Sequence, residues 1–258
     1  MDLFHSIILG FVQGITEFLP ISSTGHLILV EKVLNLSQTD FLKSFDIIIQ
    51  LGSILAVVVL YWRELFTNWE VQKRIVVAFI PTGILGLVFY KIVKAYLLGN
   101  DTVVLWSLAL GGIALILFEL RHKEEETDFG ELANLPYKNA FIVGIFQSVA
   151  MVPGVSRSAA TILGGLLMGI KRRTIVEFSF LLAVPTMLAA TGLDLIKNAE
   201  QFSGAQWDFL AAGFIMSFVV AILSIKFLLS FIKKRSFIPF GVYRIIIAAL
   251  FFLYIIYK

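Results

Sequence analysis

The sequence predicts an all-α polytopic membrane protein with about six full transmembrane helices plus two re-entrant helical hairpins, arranged as an inverted-topology repeat. Three observations predict it. First, 59% of the 258 residues are apolar, 15% are charged and the mean hydropathy is +0.91, whereas a soluble domain carries about 25% charged residues. Second, polar punctuation cuts the chain into ten apolar segments, at roughly 3–19, 22–34, 45–62, 75–97, 102–120, 137–151, 156–169, 174–196, 207–232 and 239–257. Third, one stretch in each half is broken at its centre by a matching polar motif. The whole is expected to be one integral membrane domain, 1–258, built of repeat 1 (about 1–120) and inverted repeat 2 (about 136–258).

Segment length separates crossings from hairpins. The third, fourth, fifth, eighth, ninth and tenth segments have about the 17–25 residues that span a bilayer. The second and seventh have 13 and 14, nearer the length of re-entrant pieces. The first and second segments, and the sixth and seventh, therefore pair as hairpins that enter and leave on one face. Irregular backbone at their tips is tolerated only where protein or trapped water surrounds it. Each half then holds one hairpin and three crossings, and because three is odd the second half is inverted.

Charge sets the orientation. One side collects twelve basic residues, Arg63, Lys73, Arg74, Arg121, Lys123, Lys138, Lys171, Arg172, Arg173, Lys233, Lys234 and Arg235. The other collects six, Lys32, Lys43, Lys91, Lys94, Lys197 and Lys258. The first side is cytoplasmic by the positive-inside rule, so both termini lie outside and the two hairpin tips approach from opposite faces. A net charge of +3 says little about partners, and the absence of cysteine excludes disulfide and thiol chemistry. Met1-Asp2-Leu3-Phe4-His5 has no basic stretch and no small-residue cleavage site follows, so no removable signal peptide is expected.

The two broken motifs carry the chemistry. The first runs Gly10-Phe11-Val12-Gln13-Gly14-Ile15-Thr16-Glu17-Phe18-Leu19-Pro20-Ile21-Ser22-Ser23-Thr24-Gly25-His26. The second runs Gly144-Ile145-Phe146-Gln147-Ser148-Val149-Ala150-Met151-Val152-Pro153-Gly154-Val155-Ser156-Arg157-Ser158-Ala159-Ala160-Thr161. Ionisable and hydroxyl groups at membrane depth are costly and mark function, and a duplicated pair of interrupted segments points to a midplane site.

Arg157 needs an anionic partner, and its fork matches phosphate oxygens bidentately. With Gly154, Ser156, Ser158 and Thr161 around it at the start of a short helix, it reads as a phosphate cradle. An Arg that merely locks the two repeats through a buried Glu is the competing reading. His26 follows Ser22, Ser23, Thr24 and Gly25, so an acid or base stands beside a candidate nucleophile. Glu17 lies one helical turn after Gln13 and can hold a divalent cation, orient a nucleophile or serve as counter-ion to Arg157. Asp46 and Glu177 occupy related places near helix starts, where the dipole favours acids. Lys226 and Arg244 are expected to snorkel or pair and receive no role.

These residues resemble the bacitracin-resistance family, the undecaprenyl-pyrophosphate phosphatases of the bacterial cytoplasmic membrane. The likeness rests on Gln13 to Glu17, on Phe18 through His26, on Phe45-Asp46-Ile47-Ile48-Ile49-Gln50-Leu51-Gly52-Ser53-Ile54-Leu55-Ala56-Val57 and on Pro153 through Ser158, and it extends over the whole chain. In the family the first position of the Glu/Gln element is often Glu; Gln13 removes one carboxylate here. The resemblance implies a metal-assisted hydrolase that converts undecaprenyl diphosphate to undecaprenyl phosphate and phosphate, recycles the lipid carrier for cell-wall synthesis and confers bacitracin resistance. It implies a multi-pass inner-membrane protein with its site open to the outer face. It marks Glu17, Ser23, His26 and Arg157 as catalytic, with Gln13, Ser22, Thr24, Gly25, Gly154, Ser156, Ser158 and Thr161 binding substrate. The expected cofactor is a divalent cation, Mg or Ca, on Glu17. Expected partners are the polyprenyl diphosphate lipid and membrane lipids, with a homodimer as an option and no nucleic acid. Either Ser23 attacks with His26 handling protons, or His26 activates water.

Two other classes compete. The acid-phosphatase superfamily of lipid phosphatases needs a second His downstream of its Ser-Arg pair, and the chain has only His5, His26 and His122. An inverted-repeat transporter or flippase for a phosphorylated lipid or anion has the same build; hydroxyls and His opposite Arg favour chemistry over passage.

Overall fold

A computed structural model of the chain describes residues 1–97, 99–121, 131–198 and 207–257. The helices among them are α1 Leu3–Thr16, α2 Ser23–Val33, α3 Asp40–Leu60, α4 Trp62–Phe66, α5 Trp69–Ile92, α6 Asp101–Arg121, α7 Tyr137–Val149, α8 Arg157–Leu167, α9 Arg172–Asn198, α10 Trp207–Phe231 and α11 Ile238–Tyr257. Six of these, α3, α5, α6, α9, α10 and α11, are long and apolar enough to cross a membrane, the same six that segment length selects. The remaining apolar helices have 14, 11, 13 and 11 residues. At 1.5 Å per residue they reach roughly 16–21 Å, short of a hydrocarbon core about 30 Å thick. Residues 122–130 and 199–206, where the sequence places Lys123 and two connecting loops, lie outside the described residues.

One element departs from the expected pattern. The polar stretch after the third segment contains the single-turn helix α4, with Trp62, Phe66 and Trp69 exposed around it. Exposed tryptophans such as Trp62 and Trp69 are enriched where membrane meets water.

Packing joins the two halves closely. α1 lies against α10 and α3, α7 lies against α5, α3 meets α9, and α6 meets α11. The α6–α11 crossing is tight because of glycine: a Cβ on Gly112 would stand 2.6 Å from the Gly241 carbonyl oxygen, and one on Gly241 2.7 Å from that of Gly112. Without a hydrophobic drive between helices in lipid, such close backbone approach supplies the van der Waals contact that holds them. On one side of the protein Glu119 of α6 binds Arg172 at 2.5 Å and accepts from the Phe237 N–H at 3.0 Å.

Both short-helix pairs turn through an apolar shell. Phe18 and Phe180, each fully buried, meet edge to face at 5.3 Å. Each turn ends in a serine with left-handed backbone, Ser22 at φ 73° and Ser156 at φ 77°. That conformation costs a non-glycine residue about 1–3 kcal/mol. Part of the cost is offset because each serine caps the helix that follows: Ser22 Oγ accepts from the Gly25 N–H at 3.4 Å and Ser156 Oγ from the Ala159 N–H at 3.2 Å.

Candidate active site

The end of α1 sets the first half of the site. Helical spacing puts Gln13 and Glu17 on one face, and Gln13 Nε2 donates to Glu17 Oε2 at 2.8 Å. The turn through Pro20 then brings Ser23 back, so that its Oγ donates to the same oxygen at 2.7 Å. From the second turn, Arg157 Nη2 donates to Glu17 Oε1 at 3.3 Å while Nη1 donates to the Ser179 carbonyl at 2.7 Å. The guanidinium rests 5.8 Å from the centre of the Phe18 ring. One carboxylate thus orients a hydroxyl with one oxygen and a cation with the other.

These groups open on a cavity of about 200 Å³. Glu17, Ser22, Ser23 and Thr24 line it from the first turn, and Pro153, Gly154, Ser156 and Arg157 from the second. Gln50, Thr82, Gln147 and Thr186 complete the wall. The starts of both α2 and α8 belong to this wall, so two sets of unpaired helical N–H groups and two positive dipole ends converge on it. A concavity built this way favours an anion.

The far wall has a defined polarity. Thr82 Oγ1 donates to the Gly144 carbonyl and Thr186 Oγ1 to the Leu182 carbonyl, each at 2.8 Å. Both hydroxyls are therefore left as acceptors, which fixes the Gln147 amide with its NH₂ toward them, at 3.0 Å each. Gln147 Oε1 is left without a donor, and Arg157 Nε without an acceptor. A buried acceptor left so costs about 1–3 kcal/mol.

The remaining expected contacts stand behind the wall or away from it. Gln13 supports Glu17 from behind. Ser158 Oγ donates to the Leu19 carbonyl at 2.9 Å, tying the two turns together. Thr161 Oγ1 bonds the Arg157 carbonyl and Ser179 Oγ, and Gly25 faces Leu108. His26 is placed differently from the expectation. Its ring folds back over the first turn of α2, where Nδ1 meets the Ser22 carbonyl at 2.7 Å and Nε2 the Tyr243 hydroxyl at 2.8 Å, stacked on the Tyr243 ring at 5.5 Å. A carbonyl only accepts, so Nδ1 carries the proton and Nε2 accepts from Tyr243. That face of α2 borders a separate apolar groove of about 560 Å³ with Ile15, Val30 and Ile247.

Residues 6–250 match the family model described as bacitracin resistance protein BacA. The chain belongs to this family. It is similar to the undecaprenyl-diphosphatase of Sulfurihydrogenibium sp. (strain YO3AOP1), 54% identical over 98% of this chain and 100% of that protein. The undecaprenyl-diphosphatases of Aquifex aeolicus and Persephonella marina are 53% and 50% identical over 98% and 99% of this chain, and over all of their own lengths.

In this BacA chain the donor set limits what a metal ion can use. No group of three His, Cys, Asp or Glu side chains stands together among the described residues. Glu17 offers about four acceptor positions and spends three on Gln13, Ser23 and Arg157. One position fits a cation that is shared with substrate phosphates, the habit of magnesium, and is too few for a site held by protein alone. Thr82 and Thr186 carry no sequence signal, since a threonine in an apolar span reads as packing. Arg244 did carry one, the same buried guanidinium that singles out Arg157.

Proposed function

We propose that this BacA-family chain hydrolyses undecaprenyl diphosphate to undecaprenyl phosphate and inorganic phosphate, recycling the lipid carrier for cell-wall synthesis and so conferring bacitracin resistance, with Ser23 as nucleophile and Glu17 as its base. The observation that carries the chemistry is the 2.7 Å bond from Ser23 Oγ to Glu17, whose other oxygen pairs with Arg157. The terminal phosphoryl enters the cavity against Arg157 and the N–H groups at the starts of α2 and α8. Ser23 Oγ attacks the terminal phosphorus as its proton passes to Glu17 Oε2, and the bond from phosphorus to the bridging oxygen breaks. Undecaprenyl phosphate leaves; with a second pKa of about 6 for such a group, it departs without a general acid, which suits a site whose imidazole lies elsewhere. Glu17 gives that proton to solvent, takes one from the water that attacks the phosphoserine, and returns it to Ser23 Oγ as the bond from phosphorus to Oγ breaks. Arg157 and the helix ends neutralise charge on the transferred group throughout. Glu17, together with the diphosphate, would hold a divalent cation, Mg or Ca, which would supply Lewis-acid neutralisation of the same charge.

The reading also takes the fold as an inverted repeat whose hairpins re-enter. Exchange of halves pairs α1 with α7, α3 with α9, α5 with α10 and α6 with α11. Under it the α1–α10 contact becomes α7–α5, while α3–α9 and α6–α11 map onto themselves. The matching left-handed serines, Ser22 and Ser156, support the same pairing. The site opens to the outer face.

Purified protein in detergent is expected to release phosphate from undecaprenyl diphosphate. A transporter needs two compartments and would release none, so well-folded protein without phosphate release contradicts the reading. For orientation, single cysteines in this cysteine-free chain are probed with a membrane-impermeant thiol reagent on intact cells. Ser37→Cys labels from outside, Ser236→Cys only after the membrane is opened, and Ser22→Cys slowly from outside with protection by substrate. Outside labelling at Ser236→Cys inverts the orientation.

A further inference from the structure

Arg244, in the second turn of α11, is the largest fully buried side chain among the described residues. Snorkelling does not describe it, because its charged head is sealed in protein. Nε donates to the Leu108 carbonyl at 3.2 Å, Nη1 to those of Pro20 and Val155 at 3.3 and 2.9 Å, and Nη2 to those of Ser107 and Gly154 at 2.8 and 2.9 Å. A guanidinium has five N–H groups, so every donor is committed to a backbone carbonyl and none remains for a carboxylate. Burying a charge this way is costly, and three of the five carbonyls belong to the two turns that frame the cavity: Pro20 in the first, Gly154 and Val155 in the second.

In a trans peptide the C=O and N–H point in opposite directions. With the Gly154 and Val155 carbonyls drawn toward Arg244, the N–H groups of Val155 and Ser156 face away from it. The first closes the turn onto Val152 at 3.2 Å; the second belongs to a residue that lines the cavity. Gly154 at φ 91° and Ser156 at φ 77° hold the turn in left-handed backbone on either side of Val155.

We infer that Arg244 is a positioning residue of the phosphate site: it gathers the carbonyl ends of both turns behind the cavity, so that the Ser156 N–H faces the anion, and leaves a positive charge there balanced only by dipoles. The inference rests on the phosphatase reading of the cavity. Gly111 of α6 makes room for it, since a Cβ there would stand 2.7 Å from Arg244 Cζ.

The test reads anion affinity apart from turnover. Inorganic phosphate is titrated against purified protein in detergent and the rise in unfolding midpoint is followed, because a ligand that binds only the folded state stabilises it in proportion to occupancy. Arg244→Lys keeps the charge but supplies three donors on one nitrogen; Gly111→Ala keeps Arg244 and displaces its head. Both variants are expected to need about tenfold more phosphate for the half-maximal rise, or more, and to lose kcat by about ten- to a hundredfold, about the scale of a misplaced catalytic constellation, while KM for the lipid changes little. Lower stability with unchanged half-maximal phosphate and kcat in the folded protein makes Arg244 purely structural and overturns the inference. If Arg244→Lys does not fold, Gly111→Ala decides by the same criterion. Wild-type protein that phosphate stabilises but that releases none from the lipid overturns the phosphatase reading and leaves the positioning role standing.

Discussion

Replacing Glu17 by Gln lowers phosphate release by two orders of magnitude or more, the range that a positioned general base contributes, about 10²–10⁴-fold. The substituted amide matches the carboxylate in shape but takes no proton from Ser23, which now donates to Oε2 at 2.7 Å. It also leaves Arg157, half-buried and paired at 3.3 Å, without its counter-charge. Single-turnover release from undecaprenyl diphosphate, with folding checked separately, measures the loss. Because Ser23 and Glu17 act as one unit, the double variant Glu17→Gln, Ser23→Ala costs little more than the worse single change. Losses that multiply separate the two residues and dismantle the pair.

Arg157→Lys costs about two to three orders of magnitude in kcat, the scale of removing a preorganised donor to a charged transition state. The guanidinium does two things at once: Nη1 holds the Ser179 carbonyl and Nη2 holds Glu17. A single ammonium is a point charge and cannot divide itself between them. Near-normal kcat in well-folded Arg157→Lys protein removes the residue from the site.

The parts of this protein legible in its sequence are those where composition breaks sharply. Six long apolar helices follow from segment length, and the turns from proline and serine inside apolar runs. Glu17, Ser23 and Arg157 stand out because charge and hydroxyl are expensive where they occur. Helix α4 does not, since one turn has too few residues to show a period. His26 shows the limit of adjacency: three residues after Ser23 it shares a motif with that hydroxyl, but its ring folds back onto the Ser22 carbonyl and Tyr243, and a partner on α11 is invisible from α2 alone. The acceptor wall of Gln147, Thr82 and Thr186 is likewise tertiary, made by α7, α5 and α9 meeting.

The direct test of the central claim, attack by Ser23, is the stereochemical course at phosphorus. Undecaprenyl diphosphate carrying a terminal thiophosphoryl group made chiral with oxygen isotopes is hydrolysed, and the configuration of the released thiophosphate is determined. Two in-line displacements, by Ser23 and then by water on the phosphoserine, predict net retention. Net inversion means that water attacks the lipid diphosphate directly and contradicts the account.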